Sequence, residues 1–167
     1  MNKSFSSKVL LLLSSCLIFA GCMQKVSLEI PGLGISVLAP EGAVVEMVNE
    51  GGFEIYRVSS DGGTLADLEL HEGYDFDMEK LATVEGVKEV LDTWGFSYTV
   101  VEEEVGPYGA GVYYETADTF GVLAGFKNGE TEVVCQPTSS ETPTFSIQVV
   151  MDLCMSMAPM GQENEVE

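Results

Sequence analysis

Basic residues are scarce in this sequence. Seven lysines and arginines face 27 aspartates and glutamates, a formal charge of −20. Nucleic-acid binding rests on Lys and Arg neutralising phosphates. Beyond Lys3 and Lys8 the cations are Lys25, Arg57, Lys80, Lys88 and Lys127, scattered rather than grouped, so no nucleic-acid partner is expected. There is one histidine, His71, and neither a Gly-x-Ser-x-Gly elbow nor a glycine-rich phosphate loop. Catalysis therefore has little to stand on, and a small hydrolase ranks last among the roles considered. A redox Cys-x-x-Cys is missing, as is any internal repeat. The longest apolar run, Val9 to Ala20, is broken by Ser14 and Ser15 and falls short of the roughly 20 residues of a membrane-spanning helix.

What is present begins with that run. Lys3 and Lys8 precede it with no acidic residue nearby, and the small residues Ala20 and Gly21 lead into Cys22. A positive start, a short apolar core and small residues at a cleavage point read as an export signal. With the cysteine, the segment resembles a bacterial lipoprotein signal peptide. That resemblance implies cleavage after Gly21, a diacylglyceryl thioether on Cys22 and N-acylation, and two or more acyl chains anchor stably. It also implies an outer-membrane position facing the periplasm in a Gram-negative host, because Met23 rather than Asp follows the cysteine. Leu13-Ser14-Ser15-Cys16 has the same form, but only Val9 to Leu13 would serve as its apolar core. Residues 1–21 are thus the expected signal peptide and 22–33 the lipidated cysteine, short tether and first strand. Residues 34–158 form one α+β domain, and 159–167 an acidic, disordered tail.

Without Lys3 and Lys8 the mature chain has 5 basic against 27 acidic side chains, a formal −22. Such a surface repels anionic head groups, so the lipid would hold the protein to the membrane. It favours cations or a basic protein partner. An exported chain folds where disulfides persist. Cys135 and Cys154 are the two cysteines left in the domain and are expected to pair. Closing a loop of that size stabilises by about 3 kcal/mol in the chain-entropy model.

Val26 to Ile30 alternates like a strand, Pro31 to Gly34 reads as a turn, and Ile35 to Leu38 and Ala43 to Val48 flank a Pro40-Glu41-Gly42 turn. Phe53 to Ser59 alternates, with Phe53, Ile55 and Arg57 on one face. After the Asp61-Gly62-Gly63 turn signal, Thr64 to His71 does the same, with Ala66, Leu68 and Leu70 on one face and Asp67, Glu69 and His71 on the other. From Asp77 to Trp94 the period changes: Val87, Val90, Leu91 and Trp94 mark one face of a helix, with Trp94 in the core. Asp75 or Asp77 suits its start and Gly95 its end. Gly86 costs about 1 kcal/mol in a helix interior, so a break near Thr83 fits. Four strands follow: Phe96 to Val105, Gly111 to Ala117, Phe120 to Lys127 and Glu130 to Gln136. They form an antiparallel meander, turned at Asp118-Thr119 and at Asn128-Gly129, a type I′ signal. Gly121 and Gly125 admit a close neighbour or mark bulges. Thr142 and Pro143 open a closing helix through Cys154, and Pro159 ends it.

This order is similar to the PsbP-like family, whose members include extrinsic photosystem subunits, bacterial lipoproteins and the nuclear-transport factor that binds the Ran GTPase. The likeness spans about Gly34 to Met157. It rests on Ile35-Ser36-Val37-Leu38-Ala39-Pro40, the helix, Gly109-Ala110-Gly111-Val112-Tyr113-Tyr114-Glu115, and Asn128-Gly129 leading into a closing helix. It implies an α+β fold, an antiparallel meander sheet with helices packed on it as an α/β/α sandwich, and a role without catalysis. In that fold a Cys135–Cys154 bond staples the closing helix to the sheet.

Four groups of side chains invite chemistry. Asp67, Glu69, His71, Glu72, Asp75, Asp77 and Glu79 are oxygen-rich enough for Ca²⁺ or Mg²⁺, and with His71 for Zn²⁺ or Mn²⁺. Asp75-x-Asp77-x-Glu79 has the spacing of a calcium-loop start, but Lys80 stands where the glycine belongs. A solvated face with a helix cap accounts for the same residues, and a divalent-cation binder is the alternative; no other cofactor is expected. Met151, Cys154, Met155, Met157 and Met160 have soft-ligand spacing for Cu(I), or fill core gaps. Glu102, Glu103 and Glu104 point to alternating faces. Tyr113 and Tyr114 straddle the sheet, one inside and one exposed.

Overall fold

The computed structural model describes residues 24–61, 63–136 and 146–162. Cys22, the expected helix start at Thr142 and Pro143, and residues 163–167 of the tail lie outside the described residues. Among the described residues ten strands and two α-helices run in the order β1 (Lys25–Ile30), β2 (Ile35–Pro40), β3 (Val44–Glu50), β4 (Phe53–Ser60), β5 (Gly63–Leu70), α1 (Val84–Thr93), β6 (Thr99–Gly106), β7 (Gly109–Glu115), β8 (Phe120–Asn128), β9 (Thr131–Gln136), α2 (Ile147–Met155) and β10 (Ala158–Pro159).

Seven strands make the main sheet, all antiparallel, in the order β3-β4-β5-β9-β8-β7-β6. The meander β6 to β9 folds as expected, and β9 closes it against β5. Strict alternation then sorts the side chains. Ala110, Val112, Leu123 and Val134 face α1 and pack with Met78, Leu81, Val87, Val90 and Leu91. Tyr113, Val122, Ala124, Phe126, Val133 and Cys135 face the other way, against α2 and the strands β1 and β2. The chain is therefore α+β, with an antiparallel sheet between two helical layers, as the sequence predicts. The second layer also contains a small sheet of order β1-β2-β10.

Several expectations change. The helix predicted over Asp77 to Trp94 is split into a 3-10 turn, Met78–Ala82, and α1. Asp77 caps the turn by accepting from Glu79 N, and Thr83 breaks the run in extended conformation and caps α1 by accepting from Gly86 N. The cause is contact: a Cβ on Gly86 would fall 2.0 Å from the Lys80 carbonyl oxygen, so the first turn of α1 lies directly on the 3-10 turn. Gly125 works similarly from the sheet, where a Cβ would meet Leu81 at 2.2 Å.

The alternation of β5 breaks at Leu65. Val58 pairs with Ala66 but Ser59 pairs with Thr64, so Leu65 is an extra residue and both Leu65 and Ala66 are buried. Leu70, at the end of β5, is 39% exposed rather than inside with Ala66 and Leu68. At Asn128-Gly129 only Gly129 has positive φ, +64°, and Asn128 pairs with Thr131. Gly129 and Glu130 are thus the central residues, the type II′ pattern rather than I′. Trp94 is not core: it caps α1 and is 38% exposed. Within the described residues α2 begins at Ile147, behind Ser146. The closing helix ends at Met155, before Pro159; Ala158 and Pro159 pair with β2 as β10, and the start of the expected tail is tied down, with Met160 N donating to Gly34 O and the Tyr108 hydroxyl to Gln162.

Cys135 on β9 and Cys154 on α2 are both fully buried, with their sulfurs at bonding distance and Cα atoms 5.6 Å apart. None of the described helices is long and apolar enough to cross a membrane.

Replacing an interior helical glycine by alanine ordinarily stabilises by about 1 kcal/mol. Gly86→Ala is expected to destabilise instead, by about 1–3 kcal/mol of overpacking, because the new methyl group meets the Lys80 carbonyl. Urea unfolding followed by circular dichroism measures the sign.

Candidate functional site

The acidic group singled out in the sequence does not converge. Asp67 is 5% exposed and holds the Arg57 guanidinium with both oxygens, at 2.9 and 3.0 Å, while Arg57 also donates to Glu50. Glu69 accepts from Gln136 Nε2, which also donates to the Tyr74 hydroxyl. Burial, then the neighbouring Glu69, pushes the Tyr74 phenol well above its ordinary range. His71 leaves the strand for a 3-10 turn. Its Nε2 meets the Phe76 carbonyl, and its Nδ1 lies 3.4 Å from Glu132. Asp77 is the cap already described, and Glu72 and Asp75 are exposed. Among the described residues no group of three or more histidine, cysteine or carboxylate side chains is placed to share a metal ion. Asp67 is paired with Arg57, and β5 ends before His71 can join Asp67 and Glu69.

The methionines likewise fill space: Met151 and Met157 are buried and Met155 packs beside them, while Met160 is exposed. Glu103 pairs with Lys88 of α1, whereas Glu104 is on the α2 side, close to Asp152 and Lys25. Partial burial, then Asp152 and Glu102, raises the Glu104 carboxyl above its ordinary range.

A different group does converge. Gly95, with φ +74°, donates to Asp92 O and turns the chain out of α1. Phe96 and Tyr98 then lead into β6. Tyr114 of β7 lies over the same face, stacked on Phe96 at 5.6 Å and 25° and edge-on to Tyr98 at 5.9 Å. It lies flat on the sheet because its cross-strand partner is Gly121, where a Cβ would stand 2.5 Å from the Tyr114 ring. The Tyr98 hydroxyl sits 3.0 Å from Asp92 and is also in reach of the Lys88 carbonyl. Burial raises the phenols of both Tyr98 and Tyr114. Tyr113 and Tyr114 do straddle the sheet, but both are packed, not one in and one out: Tyr113 meets Phe120 and Glu115 on the far face.

Beyond Tyr114 the chain reverses at Thr116 to Thr119. Thr116 fixes this turn: its N–H donates to Thr119 O at 2.7 Å, and its hydroxyl accepts from Thr119 N at 3.0 Å. Between the turn and the aromatic group lies a cleft of about 410 Å³, lined by Phe96, Ser97, Tyr114, Thr116, Ala117, Asp118 and Thr119. That volume is in the range of small-ligand and side-chain pockets. No histidine lines it; its acidic group is Asp118. The sequence does carry a sign of it. Phe96 and Tyr98, two residues apart behind Gly95, have the spacing that puts rings on one side of an extended chain, but the Tyr114 ring they pack on is set by the distant pairing of β7 with β8.

No protein-family model matches the chain, and no curated protein matches it. Among solved structures it is similar to the Saccharomyces cerevisiae Ran-binding protein Mog1p, with 13% identity and a TM-score of 0.50 over 82% of this chain and 96% of that one. At this identity the likeness concerns the fold, which is the α+β arrangement the sequence predicts.

Two outcomes test the electrostatics. Arg57→Met leaves the Asp67 carboxylate buried without its partner and is expected to cost about 3 kcal/mol in chemical unfolding. Glu104→Gln is expected to stabilise only slightly at neutral pH, because Glu104 is exposed and solvent screens the repulsion. The folded state holds the Glu104 proton more tightly than the unfolded chain, so its ionised form weakens the fold, and this penalty fades as pH falls. Thermal midpoints of wild type and variant should therefore differ at pH 7 and converge towards pH 4.

Proposed function

We propose that this chain is a lipid-anchored, non-catalytic binding module of a bacterial cell envelope, and that the aromatic cleft receives a partner protein. The observation that carries this reading is the cleft: an open, ring-walled recess next to an exposed Trp94, with a carboxylate and hydroxyls but no nucleophile–base pair. The described histidine supports no hydrolase, because its ring nitrogens face a carbonyl and Glu132 and its surroundings are the rings of Phe76 and Tyr74. The neighbour of the same fold is described as a Ran-binding protein, so this architecture serves protein recognition elsewhere.

The anchor suits the geometry. Lys25 opens β1 and pairs with Asp152, near Glu104 towards one end of β6. The cleft lies at the other end, past Thr99, about 17 Å away at ~3.3 Å per residue. Cys22 precedes Lys25 by three residues, a reach of at most about 11 Å. A lipid on Cys22 would thus hold the β1 end against the bilayer and turn the cleft towards the periplasm.

One experiment tests both halves. A photo-crosslinking residue at Ser97 is placed in the full chain and in its Cys22→Ser variant. The full chain is expected in the membrane fraction, carrying palmitate label and a protein adduct that a crosslinker at Glu46, on the opposite edge strand β3, does not form. Cys22→Ser is expected in the soluble periplasm. Unchanged fractionation overturns the anchor, and equal adducts from Ser97 and Glu46 overturn the cleft.

A further inference from the structure

The cations of the described chain are already spent. Among the described residues every lysine and arginine is ion-paired: Lys25 with Asp152, Arg57 with Asp67 and Glu50, Lys80 with Glu89, Lys88 with Glu103, and Lys127 with Glu79 and Glu132. None of them lines the cleft. Asp118 stands at its rim, exposed, and has no side-chain partner among the described residues.

Resting on the binding-module reading, we propose that the cleft takes an arginine side chain of the partner, its guanidinium laid against the Phe96 and Tyr114 rings and paired with Asp118. The ligand must satisfy two kinds of wall at once. The rings offer π-faces, which attract a cation. Asp118 would lose water when the cleft is covered, and a buried carboxylate without a partner is costly. A neutral apolar ligand satisfies the rings and strands the carboxylate. An anion meets both Asp118 and the field of a strongly acidic chain. A metal ion finds one carboxylate where several oxygens are needed. A lysine ammonium answers the charge but is compact and strongly hydrated. A guanidinium is planar, weakly hydrated, stacks on aromatic faces and meets a carboxylate with two parallel N–H groups. The surplus of acid elsewhere draws such a basic segment in before contact.

The test uses the single tryptophan of the chain. Trp94 lies 6.0 Å from Phe96, ring centre to ring centre, so its fluorescence reports on the cleft. The purified protein is titrated with capped Gly-Arg-Gly and with the same peptide carrying lysine or citrulline, the neutral isostere of arginine. Saturable binding is expected for arginine, at least several-fold weaker binding for lysine and none for citrulline. Affinity for the arginine peptide should fall as salt rises. Asp118→Asn is expected to weaken arginine binding at least tenfold, as is Phe96→Ala, while Glu46→Gln changes nothing; circular dichroism of each variant checks that it is folded. Equal binding of citrulline and arginine, an unchanged affinity in Asp118→Asn, or no response to the arginine peptide overturns the assignment. If arginine fails while Ser97 still crosslinks a protein, the guanidinium assignment alone falls; if both fail, the binding-module reading falls with it.

Discussion

The structure depends on the face that β8 leaves bare. On the α1 side this strand presents Gly121, Leu123 and Gly125, and the two glycines are where other elements come down onto the sheet. Leu81 drops onto Gly125, which sets the depth of the 3-10 turn. That turn in turn receives Gly86, so the start of α1 is placed by two missing side chains rather than by helix propensity. At the other end Gly121 lets Tyr114 lie flat, and Phe96 and Tyr98 pack on it. Helix seat and aromatic cleft are consequences of the same bare strand face. Interiors are packed densely enough that one methyl group at either glycine is felt.

Much of this architecture is legible in the amino-acid order because the main sheet is antiparallel and alternates cleanly in β7, β8 and β9. Where both faces are packed, period-2 patterning still sorts residues, as Tyr113 and Tyr114 do. What could not be read are features that depend on distant partners. The bulge at Leu65 follows from the register against β4, and nothing within Gly-Thr-Leu-Ala marks it. The 3-10 break is signalled by Gly86 and Thr83, but its reason, the Lys80 carbonyl, becomes visible only when the turn is in place. Trp94 has perfect helical spacing with Val87 and Val90, yet it stands at the C-cap, where the helix face has run out of sheet to cover. The partners of the acidic cluster are hidden for a related cause: Asp67 and Glu69 share a face, and Arg57 and Gln136 reach them from adjoining strands.

Charge shapes the molecule at a different level from packing. With 27 acidic side chains against seven basic ones, the ion pairs found here are mostly exposed and individually worth little; Arg57 with Asp67 is the one set inside. Their larger effect is on the surface that remains. Each of the five described cations is held by at least one carboxylate, so the outward field is acidic throughout the described chain. Such a surface gains nothing from an anionic bilayer.

That field and the aromatic cleft act over different ranges. The field extends about a Debye length, roughly 8 Å at physiological salt, and selects for basic partners without distinguishing among them. The cleft acts at contact and selects for shape. A recess walled by stacked Phe96 and Tyr114, with one carboxylate at its rim, discriminates between two cations of equal charge because only a flat one touches ring and carboxylate together. Surface charge alone would leave arginine and lysine segments nearly equivalent; the rings make them different. The recess lies at the end of β6 remote from Lys25, so the anchor and the recognition surface proposed above would sit apart along a single strand.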